Sequence, residues 1–212
     1  MKKLFLFVMT TMTLHFASLA QNTRFGFTAG TSISNYNFKY AGTNISGDPK
    51  TGFTVGLLVD IPTSTNFSIQ PALNFVQKGT QSEEMGEKLS TSINCLEIPV
   101  NFLYKTAGKA GSFFVGAGPF VAFNISGKSK YDDGNTVVEE DIKFGNDTDN
   151  DDMKIVDEGI SFLAGYEFSN GLFLSAGSNL GLKNMSLYSD DDESIKSKYF
   201  SIKIGYILGN RK

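Results

Sequence analysis

Phe53-Thr54-Val55-Gly56-Leu57-Leu58-Val59-Asp60 puts Phe53, Val55, Leu57 and Val59 on one face of an extended segment and Thr54, Gly56 and Asp60 on the other. The alternation predicts a β-strand with one apolar and one polar face. In a soluble sandwich the apolar face points inward, whereas in a membrane barrel it meets lipid and the polar face lines the interior. Choosing between the two decides both the fold and the place of the chain in the cell.

The same period returns at residues 24–36, 67–78, 90–105, 112–126, 159–168, 172–183 and 198–208, and no helical period persists between them. With residues 51–61 the total is about eight, the smallest size in the usual transmembrane barrel series. The connections have a period of their own. Those at 61–66, 106–111 and 169–171 are short, and they alternate with long polar segments at 37–50, 79–89, 127–158 and 184–197. Short turns on one rim and long loops on the other predict a periplasmic and an extracellular end, with both termini on the short-turn side. Ser169-Asn170-Gly171 is the strongest turn signal, because Asn-Gly accepts the positive φ of a tight hairpin.

The composition of the two faces gives the direction. One face holds Phe, Leu, Ile, Val, Tyr and Ala without a charge across the middle of any strand; the other is rich in Gly and Ser and carries Asp60, Gln70, Asn74, Glu97, Asn101, Asn124, Glu167, Asn179 and Lys203. A soluble exterior would carry many Lys and Glu, whereas small residues suit the crowded lumen of a small barrel. The expected fold is therefore all-β, an eight-stranded antiparallel up-and-down transmembrane barrel with its apolar belt in outer-membrane lipid. Phe25, Phe67, Tyr104, Phe113, Phe123, Phe168, Tyr199 and Tyr206 lie toward strand ends and are expected to be interfacial anchors.

Lys2-Lys3, the apolar run from Leu4 to Met9 and the small residues up to Ala20 form a secretory leader, with cleavage expected after Ala20 and the barrel domain occupying 21–212. Its removal would leave 17 of the 19 basic residues against 22 acidic ones, which speaks against a nucleic-acid partner. His15, the one histidine, leaves with it, so neither a histidine-based triad nor a histidine metal site is expected. Cys95 is the sole cysteine, which excludes an internal disulfide. The expectation is a non-catalytic protein.

Five segments, Phe25-Gly26-Phe27-Thr28-Ala29-Gly30, Gly52-Phe53-Thr54-Val55-Gly56, Ile69-Gln70-Pro71-Ala72-Leu73, Leu96-Glu97-Ile98-Pro99-Val100 and Gly116-Ala117-Gly118-Pro119, taken in order, resemble the PorT-like outer-membrane β-barrel family of Bacteroidota. The resemblance spans the chain after the leader. It implies an outer-membrane barrel and, through one family member, an association with protein secretion; it brings no catalytic residues. The end of the chain departs from common barrels, which often finish on Phe, whereas here Tyr206 or Leu208 would take that place.

Chemistry is expected in two places. Glu97, Glu167 and Lys203 fall on inward faces, and buried charge is costly unless paired, so a polar cluster in the lumen is predicted. A plug, a gated ion path and an acid–base pair are all open to it. In the longest loop, Asp147, Asp149, Asp151 and Glu158 occupy positions one, three, five and twelve of a calcium-loop pattern, although position six, normally Gly, is Asp152. Calcium binding and a solvated acidic loop are the two readings, and Asp190, Asp191, Asp192 and Glu193 form a second acidic group. The overall expectation is a monomer with a structural or surface-interaction role and a filled lumen, its partners lipid and envelope or secretion proteins. A narrow channel, a secretion component and a soluble lipocalin-like carrier are the alternatives.

Overall fold

Alternation carries the backbone through ten strands: β1 (Arg24–Tyr40), β2 (Thr43–Ser46), β3 (Asp48–Pro62), β4 (Phe67–Glu84), β5 (Glu87–Lys105), β6 (Gly111–Asp132), β7 (Val137–Asp141), β8 (Val156–Phe168), β9 (Leu172–Gly181) and β10 (Ser194–Leu208). The computed structural model describes residues 22–40, 43–84, 86–187 and 193–209; the expected leader at 1–20, Asp190, Asp191, Asp192 and residues 210–212 lie outside these. Eight of the strands, β1, β3, β4, β5, β6, β8, β9 and β10, run antiparallel to their neighbours, and β10 pairs back onto β1 from Phe25↔Leu208 to Lys39↔Ser194. The closed ring leaves no sheet edge at its seam. The short β2 and β7 pair with the far ends of β1 and β6.

The faces have the expected direction. Phe53, Val55 and Leu57 are exposed, whereas Thr54, Leu58 and Asp60 are buried inside the ring. Phe27, Leu73, Ile98, Phe102, Val115, Phe162, Leu174 and Ile204 extend the same belt around the wall. A soluble carrier would place this face inward, since exposed apolar area on this scale has no place in water. Phe67 packs edge-on against Tyr104, Phe113 against Tyr166 and Tyr166 against Phe168, which gives an aromatic girdle at the short-turn rim. Tyr199 departs from its expected place: it is 3% exposed and points into the lumen.

The long loops also differ from expectation. Residues 37–40, 43–46 and 48–50 belong to β1, β2 and β3, and residues 79–84 and 87–89 to β4 and β5, so two of the four predicted loops, 37–50 and 79–89, are largely paired strand. The reason is physical. Apolar alternation reports only the part of a strand that meets lipid, while backbone hydrogen bonding continues above the belt where both faces are polar.

Inside, glycines stand beside large side chains. A Cβ on Gly205 would lie 2.3 Å from Phe173 Cζ, one on Gly165 2.4 Å from Phe114 Cζ, and one on Gly116 2.2 Å from Leu103 Cδ2. Small and large residues thus share the bore, and Leu58, Phe114, Phe173 and Ile207 form one packed layer within it. Gly205→Ala forces its methyl onto Phe173 and onto the Phe27 carbonyl, and is expected to cost about 1–3 kcal/mol as overpacking. Urea unfolding in lipid vesicles measures it.

Candidate functional site: the charged lumen

At the short-turn rim four strand ends bring four charges together. Arg24 opens β1 directly opposite Asp60 on β3, Lys105 closes β5, and Glu167 lies one residue from the end of β8. Arg24 Nη2 donates to Asp60 Oδ2 at 2.6 Å, while Nη1 donates to Glu167 Oε1 at 2.5 Å and Nη2 to Glu167 Oε2 at 3.2 Å. The planar guanidinium therefore holds Glu167 with both arms, a geometry lysine cannot supply. Lys105 Nζ completes the circuit, 2.7 Å from Asp60 Oδ1 and 3.5 Å from Glu167 Oε2. Each carboxylate lies between two cations, and the quartet closes the bore beneath an open cup of about 580 Å³ formed with residues 62–66.

Deeper in the bore the apolar layer of Leu58, Phe114, Phe173 and Ile207 gives way to a cavity of about 60 Å³. Gln70, Asn74, Asn101, Ser161 and Lys203 line it. The Ser161 hydroxyl donates to Asn101 Oδ1, so part of this polar lining is satisfied internally. A volume of this size holds about two waters.

A second charge centre follows, built around Lys78 of β4. Its ammonium lies 3.3 Å from Glu97 Oε2 and 3.7 Å from Asp157 Oδ2, with its Nζ 5.4 Å from the centroid of Phe120 and 5.0 Å from that of Tyr199. Both rings offer their π-faces to the cation. The Tyr199 hydroxyl donates to Glu97 Oε1 at 2.5 Å, and Asn179 Nδ2 donates to the same atom at 3.0 Å. Ser197 Oγ donates to Asp157 Oδ2 at 2.5 Å. Glu97 Oε2 faces the ammonium without an aligned hydrogen bond, and Asp157 Oδ1 has no protein partner among the described residues.

Over this centre the chain folds inward as a lid. Tyr36, Ile93, Met153 and Met185 pack together at 7% exposure or less, with Phe38, Ile142, Phe144 and Ile195 against them. Phe144 bridges Met153, which draws the segment between β7 and β8 across the bore. Asn124 Nδ2 donates to the Lys154 carbonyl at 3.2 Å and ties this segment to the wall.

Glu97, Glu167 and Lys203 all face the lumen, but at different levels. Glu167 belongs to the rim quartet, Glu97 to the Lys78 centre, and Lys203 lines the cavity with no carboxylate within 4 Å among the described residues. The one expected cluster is therefore two. With Lys203 included, the described residues place four basic and four acidic side chains in the bore, Arg24, Lys78, Lys105 and Lys203 against Asp60, Glu97, Asp157 and Glu167. Among these described side chains the charges balance.

The four residues of the calcium-like pattern do not converge. Glu158 leaves the loop on the outer wall of β8 and pairs with Lys183 at 2.7 Å. Asp147 accepts from the backbone N–H of Asp149 at 3.0 Å and from Asn150 Nδ2 at 2.8 Å, and Asp151 Oδ2 accepts from the Asp147 N–H at 2.9 Å. The carboxylates cap their own turn, and the Asn150 amide with the Asp149 N–H holds the Asp147 carboxyl below the usual carboxylate range. No three such groups come together as a metal cluster among the described residues.

Arg24, Lys78, Lys105, Asp157 and Tyr199 were not singled out for the lumen by the sequence reading. Strand parity points to four of them: Lys78 continues the inward row of Gln70, Asn74 and Val76, Lys105 continues Glu97 and Asn101, Arg24 precedes Gly26, and Tyr199 precedes Ser201 and Lys203. Asp157 lies before the point where apolar alternation begins on β8, so it had no such signal.

Solved structures with a similar arrangement include the attachment invasion locus protein Ail of Yersinia pestis, at 13% identity over 87% of this chain and 98% of that one, with a TM-score of 0.44. The outer membrane protein OprG of Pseudomonas aeruginosa is 12% identical over 87% of this chain and 95% of its own, with a TM-score of 0.47. The outer membrane protease OmpT of Escherichia coli is 9% identical over 88% and 96%, with a TM-score of 0.31. A search of curated proteins returned no match. The closed ring, the outward apolar belt and the inward charges are the marks of an integral outer-membrane barrel, and the model of the outer membrane protein beta-barrel domain, matching residues 19–187, shows that the chain belongs to that family.

Proposed function

We propose that this is a monomeric, non-catalytic barrel with a plugged lumen, exported by cleavage of its leader after Ala20, with its termini in the periplasm and its long hairpins at the cell surface. Its role is structural or one of surface interaction. The observation that carries the plug is the repeated closure of the bore: the rim quartet, the layer around Phe114 and Phe173, the Lys78 centre and the Met153 lid follow one another with only a small cavity between. Moving an ion through would require parting paired charges in a medium that solvates them poorly. The PorT-like reading belongs to the same proposal. Two of its motifs, Leu96–Val100 and Gly116–Pro119, lie on the neighbouring strands β5 and β6, which pair antiparallel, and the first of them presents Glu97 to Lys78.

In planar bilayers the refolded protein is expected to give no steady conductance. Steady openings that Glu97→Ala abolishes would replace the plug with an ion path. Orientation is tested separately by Asn135→Cys in the exposed β6–β7 hairpin, which a membrane-impermeant maleimide should label on intact cells; Cys95 is buried and silent. Labelling only after the envelope is opened would reverse the orientation.

A further inference from the structure

The outer wall of β5 and β6 changes character within a few residues. In the belt, Ile98, Val100, Pro119 and Val121 line an open, mostly apolar groove of about 770 Å³ that the Glu158–Lys183 pair borders on the β8 side. Leu96, Phe123 and Ile125 continue the apolar surface upward, and then the same two strands turn polar. Here a second groove of about 320 Å³ is lined by Lys50, Ser90, Ser92, Asn94, Ser126 and Lys128. From Ile98 to Asn94 is four residues of extended chain, about 13 Å. One molecule with an acyl chain and a large headgroup can reach both.

The upper groove is built to hold a cation in place. Lys50 leaves β3 and crosses β4 over Gly79, where a Cβ would lie 2.8 Å from Lys50 Cδ. Its ammonium reaches Ser90 Oγ at 2.5 Å and Ser92 Oγ at 2.6 Å on β5. No carboxylate lies within 4 Å of it among the described residues. Partial burial, followed by repulsion from Lys88 and Lys130, lowers the Lys50 amine below the usual lysine range, as expected of a cation short of a counter-ion. Glu139 and Asp141 border the groove on the β7 side, and Glu139 pairs with Lys128 at 3.6 Å. That pair is exposed and weak, so a phosphate can compete for the lysine. Gln77 Nε2 donates to Asn94 Oδ1 and Asn94 Nδ2 to Ser126 Oγ, which leaves a row of amide and hydroxyl groups suited to a polyhydroxylated headgroup.

We propose that this wall binds an acylated, phosphorylated sugar lipid of the outer leaflet, with its phosphate at Lys50 and Lys128, its sugar along Asn94 and Ser126, and an acyl chain in the groove beside Ile98 and Val121. The leaflet rests on the orientation proposed above; the binding chemistry does not. The lysines draw the phosphate, the apolar groove retains the chain, and a soluble anion would use only the first of these.

Native mass spectrometry of the full refolded chain in micelles tests the site with a bisphosphorylated acylated glucosamine disaccharide. Lys50→Gln and Lys128→Gln are each expected to weaken retention by about fivefold, while Lys109→Gln on the opposite rim changes nothing. The phosphate-free lipid should be held more weakly, and millimolar inorganic phosphate should not displace the phosphorylated one. Unchanged retention in both lysine variants, equal retention of the phosphate-free lipid, or displacement by inorganic phosphate would each overturn the assignment. Both lysines stand clear of the belt, so heat-modifiable migration checks that the variants fold. Micelles have no leaflets. Failure of the Asn135→Cys labelling would therefore remove the outer leaflet from the proposal and leave the lipid site standing.

Discussion

Lys78→Met is expected to destabilise the barrel by about 3–5 kcal/mol, because it removes the one cation among the described residues within 4 Å of both Glu97 and Asp157 and leaves two buried carboxylates. The methionine fills much the same volume against Phe120 and Tyr199, so loss of packing contributes little. What is lost is charge compensation. Tyr199, Asn179 and Ser197 still donate to the carboxylates, but neutral donors do not replace the ammonium. Lys203, across the cavity, is too far to form a pair. The triple variant Lys78→Met, Glu97→Gln, Asp157→Asn should regain most of the stability, since it removes the charges together. Reversible urea unfolding in vesicles measures both. A loss below about 1 kcal/mol for the single change would mean that water already solvates the centre.

The sequence makes some of this arrangement legible and hides the rest, for identifiable reasons. Strand period, belt direction and the alternation of short and long connections follow from a side-chain period of two acting in lipid, and all are present in Phe53 to Asp60 and its repeats. The inward direction of Glu97, Glu167 and Lys203 follows from the same parity. Their partners do not, because a strand's register with its neighbours decides which charges share a level. Arg24 meets Asp60 because β1 and β3 pair at those residues, and meets Glu167 only because the ring closes. The upper strand segments were hidden because polar residues occupy both faces once the wall leaves lipid. Tyr199 was misread for a related reason: aromatic residues near strand ends suit both a girdle and a lumen, and parity with Ser201 and Lys203 was the better guide. The calcium-like spacing failed because Glu158 already belongs to β8, whose pairing carries it away from the Asp147 turn.

Leu57→Arg is the complementary test, on the other face of the same segment. Leu57 is 64% exposed and pairs with Phe27 and Leu73 in the middle of the belt. An arginine there must enter hydrocarbon or deform it, and is expected to cost about 2–4 kcal/mol in a bilayer. Val137 on β7 is 54% exposed and similarly apolar, but it stands on the hairpin above the belt. Val137→Arg should therefore cost no more than about 1 kcal/mol, the value near or beyond the interface. In water the two substitutions would be nearly equivalent, because each places a solvated cation on an exposed strand face. The difference between them in vesicle unfolding is thus a measure of lipid contact alone. Equal costs would take Leu57 out of the hydrocarbon and with it the assignment of Phe53, Val55 and Val59 to the lipid face.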